Sequence, residues 1–237
     1  MNIIINDQKK LIKNNCPRQL FFLFLKKNNV LNTTSISFSY DNLNSFIFPE
    51  IVLNDAEDLL ILGKSGIGKT TFIQILAGLL TPDKGSISLN GVKYADLSPK
   101  KMDQFRGENI SLVFQKPYFI KSINLIENLL TTLKLSGSKV DKEKCKYLLE
   151  HIGLSEKIYS KTYELSEGEK QRASIAMAVC KNPDLILADE PTASLDDENC
   201  DIIIKLLKEQ AKNSNSKLII ITHDQRLKSQ FKNTVTL

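Results

Sequence analysis

A glycine-rich loop between two apolar segments constrains this chain more than any other feature of its sequence. Residues 63–70, GKSGIGKT, satisfy the pattern G-x-x-x-x-G-K-[ST] at every fixed position and are called the phosphate loop below. The apolar run 59–62 before the loop predicts a buried strand, and residues 71–80 after it have helical spacing. A strand, this loop and a helix, in that order, are the context in which the pattern binds nucleotide phosphates.

Each residue type in the phosphate loop has a chemical reason. Glycines let the backbone curl so that several N–H groups point at one phosphate, and the following helix adds positive charge at its N-terminus. Lys69 can reach the β- and γ-phosphates as a point charge, and the Thr70 hydroxyl can ligate Mg²⁺. We therefore expect ATP and Mg²⁺ as cofactors. The residues expected to bind ATP are Gly63, Lys64, Ser65, Gly66, Ile67, Gly68, Lys69, Thr70 and Thr71.

Two carboxylates follow a second apolar run. Residues 185–188 are Leu-Ile-Leu-Ala, and Asp189 and Glu190 come directly after them. Such an aspartate can hold Mg²⁺ directly or through water, and the next carboxylate can polarise an attacking water as a general base. A strand that simply emerges into solvent would also end in polar residues, but the phosphate loop upstream favours the catalytic interpretation.

The remaining pattern predicts an α/β fold. The continuous apolar runs 185–188 and 218–221 are typical of central parallel strands covered on both faces. Asn90-Gly91 predicts an antiparallel hairpin, and residues from about 117 to 180 are mostly helical in spacing. We expect a P-loop NTPase core with a parallel sheet, an antiparallel β subdomain and a helical subdomain.

Composition excludes several classes of protein. The chain has 237 residues, 42% of them hydrophobic, which is enough for one sizeable core. Its formal net charge of +5 could attract nucleic acid, acidic membranes or anionic ligands, but no dense basic run occurs, so a lysine-rich solvated surface is favoured and no nucleic acid is expected. The apolar run 20–25 is too short to cross a bilayer, and we expect a cytoplasmic protein.

The cysteines show no metal-binding arrangement. None forms a C-x-x-C pair or lies at ligand spacing from a histidine, so reduced thiols are expected and a zinc site is not. The cysteines are Cys16, Cys145, Cys180 and Cys200.

Further motifs follow the phosphate loop in a specific order. They are Phe114-Gln115, residues 165–172 (LSEGEKQR, here called the signature segment), Asp189-Glu190, residues 194–196 and residues 222–224. In this order, over about residues 33–237, the chain resembles the nucleotide-binding subunit of ATP-binding-cassette (ABC) transporters.

The resemblance implies a role for each matching residue. Gln115 is implied to contact Mg²⁺ and the attacking water, and His223 to contact the γ-phosphate. Asp189 is implied to hold the metal, with Thr70 and Gln115, and Glu190 to be the catalytic base.

Two features of the resemblance are less direct. Tyr40 is implied to stack on adenine, although it shares an apparent strand face with Ile36 and Phe38 and could instead be buried in the core. The signature segment departs from the usual L-S-G-G-Q, because Glu167 and Glu169 replace a glycine and the glutamine. Its retained Ser166 and Gly168 are implied to contact ATP, and Ser166-x-x-Glu169 predicts a capping box that ties Glu169 to its own backbone.

The family also implies an assembly. Two copies would enclose two ATP molecules in a homodimer and drive transport through separate integral-membrane permease subunits, at the inner face of the cell membrane. Residues 188–196 (ADEPTASLD), with the short tail after His223, most resemble the lipoprotein-release and macrolide-export branch. A cell-division type of ABC ATPase that signals through a membrane partner without transport is the alternative.

Residues 31–237 are predicted to form the ATPase domain, with the helical subdomain at about 117–180. Residues 1–30 form an extension of unknown role, either a flexible segment or a short helix.

Overall fold

The computed structural model describes residues 30–40, 45–193 and 195–237, and within them two five-stranded sheets are present. One sheet is antiparallel and has the order β2-β1-β5-β6, with β3 also paired to β1. Its strands are β1 (Val30–Ser39), β2 (Ser45–Ile47), β3 (Val52–Asn54), β5 (Lys84–Leu89) and β6 (Val92–Lys93). The other sheet is parallel and has the order β10-β4-β9-β8-β7. Its strands are β4 (Asp58–Leu62), β7 (Ile110–Val113), β8 (Leu185–Asp189), β9 (Lys217–Thr222) and β10 (Thr234–Thr236).

The parallel sheet is covered on both faces, which explains its continuous apolar strands. Alternate residues of β4, β8 and β9 enter two different hydrophobic clusters: Leu60 packs in one and Ile61 in the other. The first cluster also contains side chains from the helical region between β7 and β8, and the second contains side chains from the antiparallel sheet. The carboxyl ends of β4, β8 and β9 therefore emerge together at one edge, here called the carboxyl edge.

Six α-helices occur within the described residues, and several begin at a side-chain cap. Asn124 and Glu127 form a capping box at the start of α3, and Asp141 and Asp196 cap α4 and α6. The helices are α1 (Lys69–Leu76), α2 (Pro99–Asn109), α3 (Leu125–Leu135), α4 (Lys142–His151), α5 (Glu167–Val179) and α6 (Asp197–Asn213). Three of them, α3 to α5, lie in the region predicted to be helical. None of the helices in the described part of the chain is both long and apolar enough to cross a membrane.

Some predicted boundaries were wrong. Helix α1 ends at Leu76 rather than near residue 80, because Gly78 follows with a left-handed φ of 67°. The apolar residues of segment 110–114 predict a strand that reaches Phe114, but β7 ends at Val113. Apolar spacing over residues 202–211 predicts a helix from Ile202, but α6 begins at Asp197, because its polar first turn lacks apolar periodicity. The predicted extension at residues 1–30 lies, apart from Val30, outside the described residues, as do Cys16 and Ser194.

The hairpin signal was correct. Asn90 and Gly91 have φ values of 53° and 81°, as a two-residue type I′ turn requires, and Leu89 pairs with Val92 across it. Strand β1 is less regular than its alternation predicts, since Ser35 has a φ of 48° and the pairing with β5 shifts between Thr34 and Ser37.

We expect Gly85→Ala to destabilise the protein, because Gly85 lies opposite the irregular part of β1 around Ser35. Gly85 has a φ of 91°, and a Cβ there would lie 2.6 Å from the carbonyl oxygen of Ser35, so the loss in free energy of unfolding should be roughly 3 kcal/mol. Gly91→Ala is the control, because its φ of 81° is similar but no atom lies within 4 Å of its Cβ, and it should cost about 1 kcal/mol. Urea unfolding of both variants measures the difference; equal losses would contradict the steric argument.

Candidate active site

A cleft of about 530 Å³ opens at the carboxyl edge, between the phosphate loop and the ends of β8 and β9. The cleft brings together ten of the predicted site residues, and Phe46, which was not predicted, also lines it. The ten are Ser65, Gly66, Gly68, Lys69, Thr70, Thr71, Gln115, Asp189, Glu190 and His223. Sheet register explains the meeting, because Leu62 pairs with Thr222 and Asp189 pairs with Ile221.

Other predicted residues lie elsewhere. Gly63, Lys64 and Ile67 belong to the loop but do not line the cleft. Tyr40 follows the last residue of β1 and is 59% exposed, so it is not a core residue. Its hydroxyl lies 3.2 Å from Thr71 Oγ1 in α1. The Tyr40 ring is therefore positioned above the start of α1.

The phosphate loop holds its own lysine inside the curl. Lys69 is 7% exposed, and its Nζ donates hydrogen bonds to the carbonyl oxygens of Gly63 at 2.7 Å and Lys64 at 3.1 Å. The loop follows β4 directly, and its first residue is held to the end of β9, because the Gly63 N–H donates to Thr222 O at 3.2 Å. At Gly68, φ is 96°, a conformation that favours glycine. A buried ammonium beside a helix N-terminus is suited to bind phosphate oxygens.

Thr70 and Asp189 form a pair of hard oxygen donors. Thr70 Oγ1 donates to Asp189 Oδ2 at 3.2 Å, while the buried Asp189 Oδ1 has no hydrogen-bond partner among the described residues. Burial raises the pKa of Asp189, the hydrogen bond from Thr70 lowers it, the nearby charge of Glu190 raises it, and the net effect is upward. Burial disfavours the ionised form of Asp189, and a nearby cation would stabilise it. The unpaired Oδ1 of Asp189 and the adjacent Thr70 hydroxyl are therefore suitable ligands for a divalent cation such as Mg²⁺.

Glu190 is held by several donors at once. Its Oε1 lies 2.9 Å from His223 Nδ1 and 3.3 Å from Lys69 Nζ, and its Oε2 accepts from Thr222 Oγ1 at 2.7 Å. Burial raises the pKa of Glu190, but the hydrogen bonds from His223 and Thr222 and the charges of His223 and Lys69 together lower it below its usual value. An ionised, oriented carboxylate at this position can accept a proton from water.

The signature segment lies away from the cleft of its own chain. Ser166 is the N-cap of α5 and Gly168 lies in its first turn, and neither lines the cleft. The predicted capping box is confirmed: Ser166 Oγ accepts from the Glu169 N–H at 3.3 Å, and the Ser166 N–H donates to Glu169 Oε2 at 2.7 Å. Glu167 in turn pairs with Lys170 at 2.7 Å. Both unusual carboxylates therefore have partners within their own helix.

Sequence reasoning missed Phe46. A Cβ added to Gly68 would lie 2.6 Å from the Phe46 ring, so the ring packs directly on the phosphate loop. Its neighbours are Tyr40, edge-on at 6.4 Å between ring centroids, and Phe48, stacked at 6.1 Å. The alternation of Phe46 and Phe48 is a strand signal, but nothing in it points to the distant loop.

Comparison with known proteins agrees with this geometry. The family described as ABC transporter matches residues 50–193. The chain is 40% identical over 192 residues to the lipoprotein-releasing system ATP-binding protein LolD of Buchnera aphidicola, covering 80% of this chain and 83% of that protein. It is 34% identical over 199 residues to the LolD protein of Treponema denticola, covering 83% and 88%.

Solved structures show the same fold. A dimeric, post-hydrolysis ATP-binding cassette bound to ADP and Pi matches with a TM-score of 0.77 and 25% identity, covering 87% of this chain and 94% of that one. The cbiO1 protein of Clostridium perfringens, part of the ABC transporter complex cbiONQ, matches with a TM-score of 0.78 and 26% identity, covering 88% and 84%.

Fold, cleft and matches together define an ATP-binding ATPase of the cassette type. The chain belongs to the ABC transporter family, as its ATP-binding component.

We expect Lys69→Met to lower ATP hydrolysis about 10²- to 10³-fold, because the substitution removes the buried cation beside the phosphate loop. Lys93→Met is the matched control, since Lys93 is an exposed lysine in β6 that does not line the cleft, and its loss should change activity little. Phosphate release from purified protein measures both variants, and an equal loss in both would contradict a specific role for Lys69.

Proposed function

We propose that this chain is the motor subunit of an ABC transporter of the lipoprotein-releasing type, which hydrolyses ATP to drive transport through separate membrane subunits. The observation that carries the proposal is the convergence of Lys69, Asp189, Glu190 and His223 on one cleft. The relatives named lipoprotein-releasing system ATP-binding protein, at 40% and 34% identity over about four-fifths of the chain, support the choice of system. The cassette itself spans residues 31–237, with its helical subdomain at about 117–180.

The proposed reaction uses groups that already face one another. Lys69 Nζ binds the β- and γ-phosphates, exchanging its loop carbonyl partners for phosphate oxygens. A water attacks the γ-phosphorus, its proton passes to Glu190, and the bond from the γ-phosphorus to the bridging oxygen breaks, which leaves ADP and phosphate. His223 donates a hydrogen bond to the γ-phosphate. Tyr40 stacks on the adenine.

Thr70, Asp189 and Gln115 would hold Mg²⁺ in the cleft. The free buried oxygen of Asp189 and the adjacent Thr70 hydroxyl support this assignment. When bound, the ion supplies positive charge to the phosphate oxygens.

A second copy of the chain completes each site in this proposal. Ser166 and Gly168 do not line the cleft of their own chain, and a structural neighbour of the chain is a dimer. The signature segments would then face ATP across the interface. Glu169 is bound to the Ser166 N–H and Glu167 to Lys170, and these contacts reduce the repulsion between the two carboxylates and the nucleotide.

We expect Glu190→Gln to retain ATP binding, to lose hydrolysis about 10²-fold or more, and to accumulate as an ATP-bound dimer. Light scattering after gel filtration with ATP measures the dimer, and phosphate release measures turnover. Glu150→Gln on the exposed surface of α4 is the control and should stay active and release its dimer. Undiminished turnover in Glu190→Gln would exclude Glu190 as the base.

Transport is tested by reconstitution at a membrane. The chain is co-expressed with integral-membrane proteins that co-purify with it, and the complex is placed in proteoliposomes carrying a lipidated protein. We expect ATP-dependent release of that protein and a peripheral location of the chain, lost in Glu190→Gln. Hydrolysis in the complex without release of any cargo would favour the signalling alternative.

A further inference from the structure

Thr222 holds the proposed catalytic carboxylate, and no predicted role accounts for it. Its hydroxyl donates to Glu190 Oε2 at 2.7 Å, the shortest of the contacts that this carboxylate makes. Thr222 is 1% exposed and is the last residue of β9. In the sequence, Thr222 is distinguished only as the residue that precedes His223.

We propose that Thr222 is a positioning residue, which fixes the carboxylate of Glu190 for proton transfer throughout the catalytic cycle. The inference rests on the proposed function of Glu190 as general base. It assigns no contact between Thr222 and the substrate.

The other side-chain donors to Glu190 have competing tasks. Lys69 and His223 both approach Oε1, and both are proposed to bind the phosphates of ATP. When they turn to the nucleotide, Oε1 loses these partners and becomes free to accept the proton of the attacking water. The His223 backbone N–H also donates to Oε2, but at the longer distance of 3.4 Å. The hydroxyl of Thr222 has no such task, so its 2.7 Å hydrogen bond to Oε2 is kept and the carboxylate keeps its orientation.

Thr222 is itself fixed on three sides. Its Oγ1 accepts from the Asp224 N–H at 3.1 Å, and its carbonyl oxygen accepts from the Gly63 N–H at 3.2 Å. Because the hydroxyl accepts from Asp224, its own proton is directed to Glu190. A β-branched side chain is stiff about χ1, so the hydroxyl cannot easily turn away. One residue therefore connects the carboxylate with the phosphate loop and with the turn after β9.

The backbone of Glu190 also depends on the end of β9. Its φ is 48°, an uncommon conformation for a non-glycine residue that persists only where the surroundings impose it. The Glu190 N–H donates to Ile221 O at 2.8 Å, one residue before Thr222. Adjacent residues of β9 thus hold the main chain and the side chain of Glu190.

The test compares Thr222→Val, which keeps the shape but removes the hydroxyl, with Thr222→Ser, which keeps the hydroxyl. In basal ATP hydrolysis by the full chain, we expect Thr222→Val to lower kcat about 10- to 100-fold, with KM for ATP changed less than about twofold. Thr222→Ser should recover kcat to within about threefold of the unsubstituted chain.

Thr33→Val controls for the loss of a buried hydroxyl. Thr33 is also 1% exposed, and its Oγ1 also accepts a backbone N–H, that of Ile51 at 2.8 Å, but it lies in β1 away from the cleft. We expect Thr33→Val to lower the unfolding temperature without lowering kcat. If Thr222→Val does not fold, Thr222→Cys replaces it, because a thiol is a weaker hydrogen-bond donor of similar size. Its kcat should be lower than that of the unsubstituted chain and higher than that of Glu190→Gln.

Several results would overturn the proposal. Normal kcat in Thr222→Val or Thr222→Cys would show that the hydroxyl is not needed, and equal losses in Thr222→Ser and Thr222→Val would assign the effect to packing. A parallel rise in KM would place Thr222 in ATP binding. If Thr222→Val turns over ATP normally while Glu190→Gln is inactive, only the positioning role of Thr222 is refuted. If Glu190→Gln turns over ATP normally, the assignment of Glu190 as general base is itself refuted.

Discussion

Parallel pairing of β4, β9 and β8 is the constraint on which the rest of this structure depends. The register places Leu62 beside Thr222, and Asp189 beside Ile221, so three segments that are far apart in sequence leave the sheet at one edge. The same pairing places alternate side chains in two hydrophobic clusters, one on each face of the sheet. These clusters fix the register, because a slip of one residue would move every side chain of a strand to the opposite face. The meeting of Lys69, Asp189, Glu190 and His223 in the cleft follows from this arrangement.

Charge balance is the second feature that shapes the cleft. Lys69 is buried beside two carboxylates, and removing such groups from water costs free energy that their attraction only partly offsets. The contacts of Lys69 with the loop carbonyls of Gly63 and Lys64 keep the cation in place. The arrangement is therefore better explained by preorganisation toward a charged ligand than by stability.

Sequence reasoning predicted the contiguous motifs well, and the elements around them less well. The phosphate loop and the pair Asp189-Glu190 are local patterns, and their chemistry follows from residue type and spacing. Element ends were less predictable, since the left-handed Gly78 stops α1 early and the polar first turn of α6 hides its start. Phe46 was missed because its role depends on contact with Gly68, 22 positions later in the sequence.

By itself, the sequence determined the chemical inventory: a loop of glycines with one lysine, two carboxylates at a strand end, a histidine after the next strand, and a capping box that binds Glu169. These depend on neighbours within a few residues, where backbone geometry leaves few choices. Only the tertiary structure decided which groups face one another, namely Thr222 against Glu190, Thr70 against Asp189, and Phe46 against Gly68. The physical reason is that strand pairing and side-chain packing set distances between remote segments, and those distances are not encoded in local spacing.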